Sequence, residues 1–402
     1  MFKGALPGFR DFYPQELAER AFIMDTWRAV ARRYAFVEYD GPPLEPLDLY
    51  TKKSGDEIVG QLYNFVDKGG REVALRPEMT PTVARMVAAR ANALRKPVRW
   101  FSMPQLFRYE RQQKGRLREH YQLNVDIFGS SDVAADAELV ACAVDMMRAL
   151  GITSSDVVVR VSDRRLLHGY LESLGVAADV IPSVYTVIDK LERTPADVSR
   201  ERLAALGITG SASECIIDIV SVDFAEIKSR LAGTASEVFA LEFERFLQYV
   251  PALLGGDTSW LRLDLSIVRG LAYYTGIVFE LFDRSGEFRA ICGGGRYDTL
   301  LESLGGADLP ALGFGMGDVV LGELLRSKGL MRPADSSPDY WVAADESTPL
   351  EHVMADVARR RAAGHSVEYA LRSQTMNKQK KAAQASGAKE FVTLSNDTAS
   401  NG

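Results

Sequence analysis

The segment from residue 99 to residue 129, RWFSMPQLFRYERQQKGRLREHYQLNVDIFG, constrains the fold of this chain more than any other. It reads as a strand, a polar loop and a second strand, because apolar residues around Phe107 precede the turn-prone run QQKGR and the apolar residues 125–128 follow it. The hairpin carries arginines at positions 108, 111, 116 and 118. These charges repel one another unless an anion lies among them, and guanidinium groups match the geometry of phosphate. The segment therefore predicts either a phosphate-binding hairpin or a charged hairpin that faces water.

The composition and charge of the chain argue against several classes of protein. With 402 residues, of which 47% are hydrophobic and 25% charged, the chain can form two or three domains with large cores. A net charge of −6 argues against unspecific nucleic-acid binding but allows a local basic surface. The three cysteines and four histidines are scattered, so we expect a reducing, cytoplasmic location and no zinc site. No run approaches the roughly 20 apolar residues of a membrane span, so we expect a soluble protein.

The pattern along the chain predicts an α/β (α+β) architecture. Residues 1–165 and 255–327 carry strand patterns and glycine-rich segments, whereas residues 166–254 are helical almost throughout, as expected of an inserted helical module. The run 313–326 also reads as a helix. Residues 328–338 form a polar, proline-bearing linker, and residues 339–402 alternate strand and helix as in a small α/β domain.

Three further groups of residues could bind a small polar molecule. Glu78 and Thr80 lie where a strand ends and a helix begins, so they could hold an ammonium group, or Thr80 could simply cap the helix. Gln122 and Asp126 are an even number of residues apart on one strand, so both point to one face, which is either a binding site or an outward polar face. The triplet 293–295, all glycine, would let the backbone approach a ligand, but it lacks the pattern of a P-loop.

Taken together, FRYERQQKGRLREHYQ, RPEMTP, VRGLAYYTGIVFE and CGGGRYD resemble the histidyl-tRNA synthetase family of class II aminoacyl-tRNA synthetases. The resemblance covers nearly the whole chain and is most similar to the branch found in plant organelles and some bacteria. It implies a six-stranded antiparallel catalytic sheet flanked by helices, a helical insertion and a C-terminal α/β anticodon-binding domain. It also implies a homodimer that activates L-histidine with ATP and Mg²⁺, has no permanent metal or organic cofactor, and charges tRNA(His). The family continues beyond the equivalent of Gly402, so the last domain is expected to be shortened.

The resemblance also implies roles for individual residues. Arg108 and Arg269 match arginines that act at the ATP α-phosphate during catalysis. The ATP-binding positions correspond to Arg108, Glu110, Arg116 and His120. The histidine-binding positions correspond to Glu78, Thr80, Gln122, Asp126, Arg269, Tyr273, Tyr274 and Tyr297. Asp126 and Tyr274 match the positions that read the imidazole, which offers one donor and one acceptor when neutral. No position is expected to bind a metal permanently.

Four positions depart from the family pattern. Asp126 stands where glutamate is common, His120 where an aromatic ring usually stacks on adenine, and Ala272 where aspartate is frequent. Val320 lies where the motif 3 arginine is expected, so one face of the adenine lacks its usual cation–π contact.

An alternative with the same fold is the regulatory subunit of ATP phosphoribosyltransferase, which senses histidine without aminoacylation. That protein generally lacks the anticodon-binding domain and parts of the loop that handles tRNA. The presence here of the loop 112–118 and of the residues from Tyr340 onward favours the synthetase.

Overall fold

The computed structural model describes residues 4–51, 59–110, 115, 117–268, 273–333 and 335–395. The chain divides into two compact units between Pro333 and Ala334. The described strands of the first unit are β1 to β12: Val37–Glu38, Leu44–Pro46, Tyr63–Val66, Glu72–Leu75, Val98–Ser102, Gln105–Phe107, Glu119–Phe128, Val157–Asp163, Leu261–Leu263, Ile277–Asp283, Cys292–Arg296 and Ala311–Gly317. Its described α-helices are α1 to α12: Pro14–Arg33, Asp48–Thr51, Thr80–Ala88, Val133–Ala149, Arg164–Ser173, Ile181–Ile188, Ala196–Ala205, Gly210–Ile217, Phe224–Leu231, Glu237–Leu253, Leu300–Ser303 and Asp318–Ser327.

A large sheet organises the first unit. Its strand order is β1-β5-β7-β12-β11-β10-β8-β9, and β6 pairs with β7 beside this path. The six strands from β5 to β8 in this order all pair antiparallel, which confirms the six-stranded antiparallel sheet expected from the sequence. At the two edges β1 and β9 pair parallel to their neighbours. A separate small antiparallel sheet, in the order β2-β4-β3, leads into α3.

Strand alternation separates the core face of the large sheet from its polar face. On β7 the odd-numbered residues Leu123, Val125 and Ile127 belong to the main hydrophobic cluster, where α1 and α4 pack. Burial of a large apolar side chain stabilises the fold by about 1.5–3 kcal/mol. Because successive side chains of a strand point to opposite faces, the even-numbered residues of β7 lie on the other side of the sheet. The core thus determines which side of the sheet can hold a polar site.

The expected helix over residues 313–326 is wrong in its first part. Residues 311–317 form β12 in the middle of the sheet, and the helix α12 begins only at Asp318. Glycine destabilises a helix interior by about 1 kcal/mol relative to alanine, so the glycines of GFGMG disfavour a helix in this part of the chain. In the sheet these glycines leave room for side chains of the neighbouring strand.

Between β8 and β9 the described chain is helical, comprising α5 to α10 and two short 3-10 helices, Leu191–Arg193 and Ile219–Ser221. Asp163 caps α5, because its side chain accepts a hydrogen bond from the backbone N–H of Arg165. Asp223 caps α9 in the same way through Glu226. Both residues are N-caps, so they fix where each helix begins by satisfying a backbone N–H of its first turn.

The second unit is a small α/β structure. Its strands β13 (Tyr340–Ala344), β14 (Val367–Tyr369) and β15 (Glu390–Leu394) form a parallel sheet with β13 in the centre. The helices α13 (Leu350–Ala362) and α14 (Met376–Ser386) connect the strands, as the alternating pattern predicts. Across the described residues of both units, no helix has the length and apolar character needed to cross a membrane.

Candidate active site

A cavity of about 850 Å³ lies on the polar face of the large sheet. Strands β7, β10, β11 and β12 contribute to it, together with the chain around β6 and the start of α3. The predicted site residues that line it are Glu78, Thr80, Arg108, Glu110, His120, Gln122, Tyr273 and Tyr274. Two other predicted residues, Asp126 and Tyr297, are buried. Arg116 and Arg269 lie outside the described residues, as does Ala272.

The even-numbered residues of β7 form a polar row along the cavity. Gln122 and Asn124 line the cavity directly, and Asp126 follows on the same face. Glycines of β12 stand opposite this row, since Gly313 pairs with Asp126 and Gly315 pairs with Asn124. A Cβ atom at Gly313 would lie 2.2 Å from Asp126 Oδ1, and one at Gly315 would lie 2.7 Å from Gln122 Nε2. The alternating glycines therefore provide the space that these polar side chains occupy.

Asp126 is a buried carboxylate with unused hydrogen-bonding capacity. Tyr297 donates its hydroxyl hydrogen bond to Asp126 Oδ1 at 2.5 Å, whereas Asp126 Oδ2 has no hydrogen-bond partner within the described chain. Burial raises the pKa of Asp126 to about 7, against the lowering effect of the Tyr297 hydrogen bond. A buried carboxylate of this kind is costly unless a donor or a cation reaches it. A ligand that brings an N–H group to Oδ2 would meet this requirement.

Aromatic rings connect Asp126 to the segment that precedes α3. Tyr297 packs edge-on against Tyr273 with ring centroids 5.7 Å apart, and the rings of Tyr273 and Tyr274 are 5.1 Å apart. The hydroxyl of Tyr273 donates to Glu78 Oε2 at 3.2 Å, and Glu78 is itself buried. One continuous set of contacts thus joins two carboxylates that the sequence places far apart.

Arg108 is fixed at the side of the same cavity. Its Nε donates to the carbonyl oxygen of Pro77 at 2.9 Å, next to Glu78, and its backbone N–H donates to the carbonyl oxygen of Arg118. The Nε bond restricts the orientation of the guanidinium, which lowers the entropy lost when an anion binds.

His120 is a neutral ring at neutral pH. Burial lowers its pKa to about 3, and the positive charges of Arg108 and Arg10 act in the same direction. A neutral imidazole that lines the cavity provides a flat, uncharged surface for another ring. His120 therefore suits the adenine-stacking position that the resemblance implies for it.

Thr80 does not have the capping role that was its alternative explanation. Helix α3 begins at Thr80, and its cap residue is Met79, which makes no side-chain capping hydrogen bond. Thr80 lines the cavity beside Glu78.

Arg160, itself buried, forms an ionic cluster at the wall of the cavity that was not predicted. Its Nε donates to Asp264 Oδ2 at 2.6 Å, and its Nη2 pairs with Glu192 Oε1. Asp264 Oδ1 in turn accepts hydrogen bonds from the backbone and the hydroxyl of Ser266. The cluster ties β8, the chain after β9 and the helical segment together, and its members are too far apart in sequence for any pattern to reveal them.

A second network that was not predicted holds the N-terminal segment against the hairpin. Arg10 donates to Glu119 Oε1 at 2.6 Å and to Asp318 Oδ2 at 2.9 Å. Asp318 also accepts a hydrogen bond from the backbone N–H of Tyr121, and Gln105 donates to Glu119. These bonds hold the start of β7, and thereby His120, in place.

Asn124, Gly313 and Gly315 could have been found from the sequence. Asn124 lies midway between Gln122 and Asp126 at the same two-residue spacing, and the glycines alternate in GFGMG with the same period. In the described residues no group of three or more His, Cys, Asp or Glu side chains is arranged to hold a metal ion.

Comparison with known proteins finds relatives along nearly the whole chain. The family described as "Histidyl-tRNA synthetase" matches residues 8–317. A protein of Opitutus terrae named "Histidine--tRNA ligase" is 45% identical over 96% of this chain and 89% of its own length. The "Histidine--tRNA ligase, chloroplastic/mitochondrial" of Arabidopsis thaliana is 42% identical over 92% of this chain and 75% of its own length.

Two solved structures share the fold. The histidyl-tRNA synthetase from Nostoc sp. PCC 7120 superposes with a TM-score of 0.84 at 24% identity, over 99% of this chain and 94% of that one. A structure described as an ATP phosphoribosyltransferase regulatory subunit/histidyl-tRNA synthetase from Bacillus halodurans C superposes with a TM-score of 0.79 at 21% identity, over 98% of both chains.

Proposed function

The chain belongs to the histidyl-tRNA synthetase family, and we propose that it carries out its reaction in the cavity on the polar face of the sheet. It acts as a histidine–tRNA ligase, which activates L-histidine with ATP to histidyl-adenylate and transfers the histidyl group to tRNA(His). One observation carries the proposal for the site. The same cavity is lined by Glu78 and Gln122, which can bind an amino acid, and by Arg108, which can bind a phosphate.

The amino-acid end of the site is the region of Glu78, Gln122 and Asp126. Glu78 and Thr80 hold the ammonium group of histidine, and Gln122 binds its backbone. The imidazole lies beside Asp126 Oδ2, which accepts its N–H, and Tyr274 contacts the other ring nitrogen. This role is supported by the burial of Asp126 and by the missing partner of its Oδ2 in the described chain. A site that relies on such bonds discriminates against analogues lacking them by about 10⁴-fold or more.

Two tyrosines complete the amino-acid end. Tyr297 fixes the Asp126 carboxylate through its hydrogen bond to Oδ1, and Tyr273 orients Glu78. The two hydroxyls therefore orient the carboxylates of Asp126 and Glu78, which bind the substrate.

The nucleotide end of the site is the region of Arg108 and His120. Arg108 binds the α-phosphate, His120 stacks on the adenine and Glu110 lies beside it. The neutral state of His120 supports its role, because the positive charges of Arg108 and Arg10 would repel a protonated ring. Arg116 is assigned to the outer phosphates on the resemblance alone. Mg²⁺ enters as part of the ATP complex that is the substrate.

Activation is an in-line displacement at the α-phosphorus. A carboxylate oxygen of histidine forms a bond to phosphorus, the bond to the bridging oxygen of pyrophosphate breaks, and pyrophosphate leaves with the electron pair. Negative charge develops on the non-bridging oxygens, where Arg108 and Arg269 stabilise it. No general base is needed, because the attacking carboxylate is already ionised, so positioning and charge stabilisation supply the catalysis. In the second step the 3′-terminal hydroxyl of the tRNA attacks the carbonyl carbon of the adenylate and loses its proton to solvent, the bond from that carbon to the phosphate oxygen breaks, and AMP leaves with the electron pair.

The remaining assignments concern the other parts of the chain. Residues 1–165 and 255–327 constitute the catalytic domain, residues 166–254 the helical insertion, and residues 339–402 the anticodon-binding domain after the linker 328–338. The protein works as a homodimer in the cytoplasm, which light scattering of the purified protein and localisation of a tagged chain would test. The presence of Glu192 and Arg193 in the cavity wall supports a role of the insertion near the site.

The test of the proposed function is histidine-dependent exchange of pyrophosphate into ATP, followed by charging of tRNA(His). We expect exchange with histidine and none with the other amino acids. A protein that binds histidine but supports neither exchange nor charging would instead have the histidine-sensing role of the ATP phosphoribosyltransferase regulatory subunit, which has no better support among the comparisons.

A further inference from the structure

Two hydroxyl groups, of Tyr39 and Ser102, lie near Asp126 on the same face of the sheet, and the reaction described above does not use them. Ser102 of β5 pairs with Asn124 of β7, and Trp100 pairs with Asp126. The chain beyond β1 continues alongside β5, because the backbone N–H of Tyr39 donates to the carbonyl oxygen of Phe101 at 2.9 Å. The ring of Tyr39 packs against Trp100 at 5.4 Å between centroids. Tyr39 and Ser102 therefore lie on the Asp126 side of the sheet.

Three buried polar atoms come together here. They are the hydroxyl oxygen of Tyr39, Ser102 Oγ and Asp126 Oδ2, and none of them has a hydrogen-bond partner in the described part of the chain. Ser102 is fully buried and Asp126 is 3% exposed. Buried polar groups in native proteins almost always have partners, so three such atoms in one place require a shared solution.

The electrostatics of Tyr39 show that these groups are close to one another. Burial raises the pKa of the Tyr39 hydroxyl well above its ordinary value, the Asp126 carboxylate raises it further, and a hydrogen-bonding interaction with the Ser102 hydroxyl lowers it. Tyr39 also contributes to the raised pKa of Tyr297, whose main cause is burial. Tyr39 and Ser102 are therefore near enough to interact, yet neither hydroxyl has a partner of full hydrogen-bond geometry in the described chain, and neither does Asp126 Oδ2. One small molecule that bonds to all three atoms would supply the missing partners.

We infer that Tyr39 and Ser102 are positioning residues for Asp126, and that their hydroxyls hold its Oδ2 through one shared water molecule. A buried water typically makes about three hydrogen bonds to protein groups that are otherwise unsatisfied. Each carboxylate oxygen has two lone pairs, so Oδ2 accepts from the water and keeps a second site for the imidazole N–H. With Tyr297 on Oδ1 and the water on Oδ2, the plane of the carboxylate is set before histidine binds. The inference deepens the proposed function and rests on it.

The groups around Asp126 determine how the pKa of its carboxyl group changes when a hydrogen-bond donor is lost. The strand β12 presents Gly313, the residue after β11 is Tyr297, and the chain after β1 presents Tyr39. The pKa of Asp126 responds to burial and to Tyr297 rather than to a neighbouring cation, whereas Arg76 and Asp40 act on Tyr39. Loss of a donor to the carboxylate would therefore raise its pKa further.

The test compares Tyr39→Phe, Ser102→Ala and the double variant with the wild type. Phenylalanine keeps the ring packing on Trp100, so the fold should be preserved. We expect each single variant to weaken histidine binding in calorimetry, and to raise the histidine KM in exchange, by about tenfold, the size of one charge-assisted hydrogen bond. The ATP KM should stay unchanged. The double variant should be no worse than about the worse single one, because both hydroxyls act through one water.

A matched control and a pH profile separate this role from general damage. Tyr34→Phe removes another tyrosine hydroxyl that is hydrogen-bonded, to Asp145 Oδ2 at 2.8 Å, and should leave the histidine KM unchanged. In Tyr39→Phe the acid limb of kcat/KM for histidine should move to higher pH, because the carboxylate has lost a donor.

Three results would overturn the inference: an unchanged histidine KM in both single variants, an equal rise of the histidine and ATP KM, or fully additive effects in the double variant. The proposed function fails separately. If the wild type binds histidine but supports no exchange, the ligase assignment is wrong while calorimetry still tests the positioning of Asp126.

Discussion

Replacement of Asp126 by asparagine should stabilise the protein and weaken its hold on histidine at the same time. Burial raises the pKa of Asp126 from 3.8 to about 7. One pKa unit corresponds to about 1.4 kcal/mol, so above pH 7 the ionised carboxylate costs the folded state about 4 kcal/mol relative to the unfolded state. Asparagine has nearly the same shape and no charge, so Asp126→Asn removes this cost.

The sign of the pH dependence follows from the two pKa values. The unfolded chain loses the Asp126 proton near pH 4, whereas the folded protein keeps it until about pH 7. The stability of the wild type therefore falls as the pH rises from 4 to 7 and stays low above that range. The advantage of Asp126→Asn should grow from about 2 kcal/mol at pH 5 to about 4 kcal/mol at pH 8.

Urea unfolding at pH 5 and pH 8 measures this difference, and exchange kinetics measure its functional counterpart. In the variant the atom at the Oδ2 position is an amide nitrogen, which donates where the carboxylate accepts. We expect the histidine KM to rise by about 10- to 100-fold, the loss of a hydrogen bond to a charged group. Asp25→Asn, at a side chain that is 72% exposed on α1, controls for the loss of one negative charge. A stability difference that does not change between the two pH values, or an unchanged histidine KM, would refute the reasoning.

Three further variants test other parts of the site. Arg108→Ala should lower kcat for exchange by about 10²- to 10³-fold, as expected for one donor at the developing charge, and an unchanged kcat would count against its role. Arg269→Ala should abolish histidine-dependent exchange while circular dichroism shows an unchanged fold; exchange at the wild-type rate would remove it from the mechanism. Gly313→Ala would place a Cβ 2.2 Å from Asp126 Oδ1, so it should destabilise the protein by about 1–3 kcal/mol and raise the histidine KM. Its control, Gly322→Ala, meets only atoms at 3.6 Å or beyond on a helix and should be neutral or slightly stabilising in urea unfolding.

The sequence was sufficient to identify the family and to find the polar row of β7. The even spacing of Gln122 and Asp126 requires that both point to one face of any strand, since side chains alternate along the backbone. The mixed helix and strand pattern likewise predicted the α/β class, and the six antiparallel strands are present. These features depend on local periodicity, which a sequence carries directly.

Only the tertiary structure decided which face of the sheet became the site and what completes it. The helix expected over the first residues of the run 313–326 is a strand. It pairs with β7, where a side chain at Gly313 would collide with Asp126. The Arg160 cluster and the hydroxyls of Tyr39 and Ser102 reach the site from distant segments. Periodicity contains no information about such contacts, because they depend on how strands far apart in sequence are ordered and registered in the sheet. The sequence pattern thus determines the polar row of β7. The order of the strands in the sheet determines which groups surround the Asp126 carboxylate, and thereby its pKa and the space beside it.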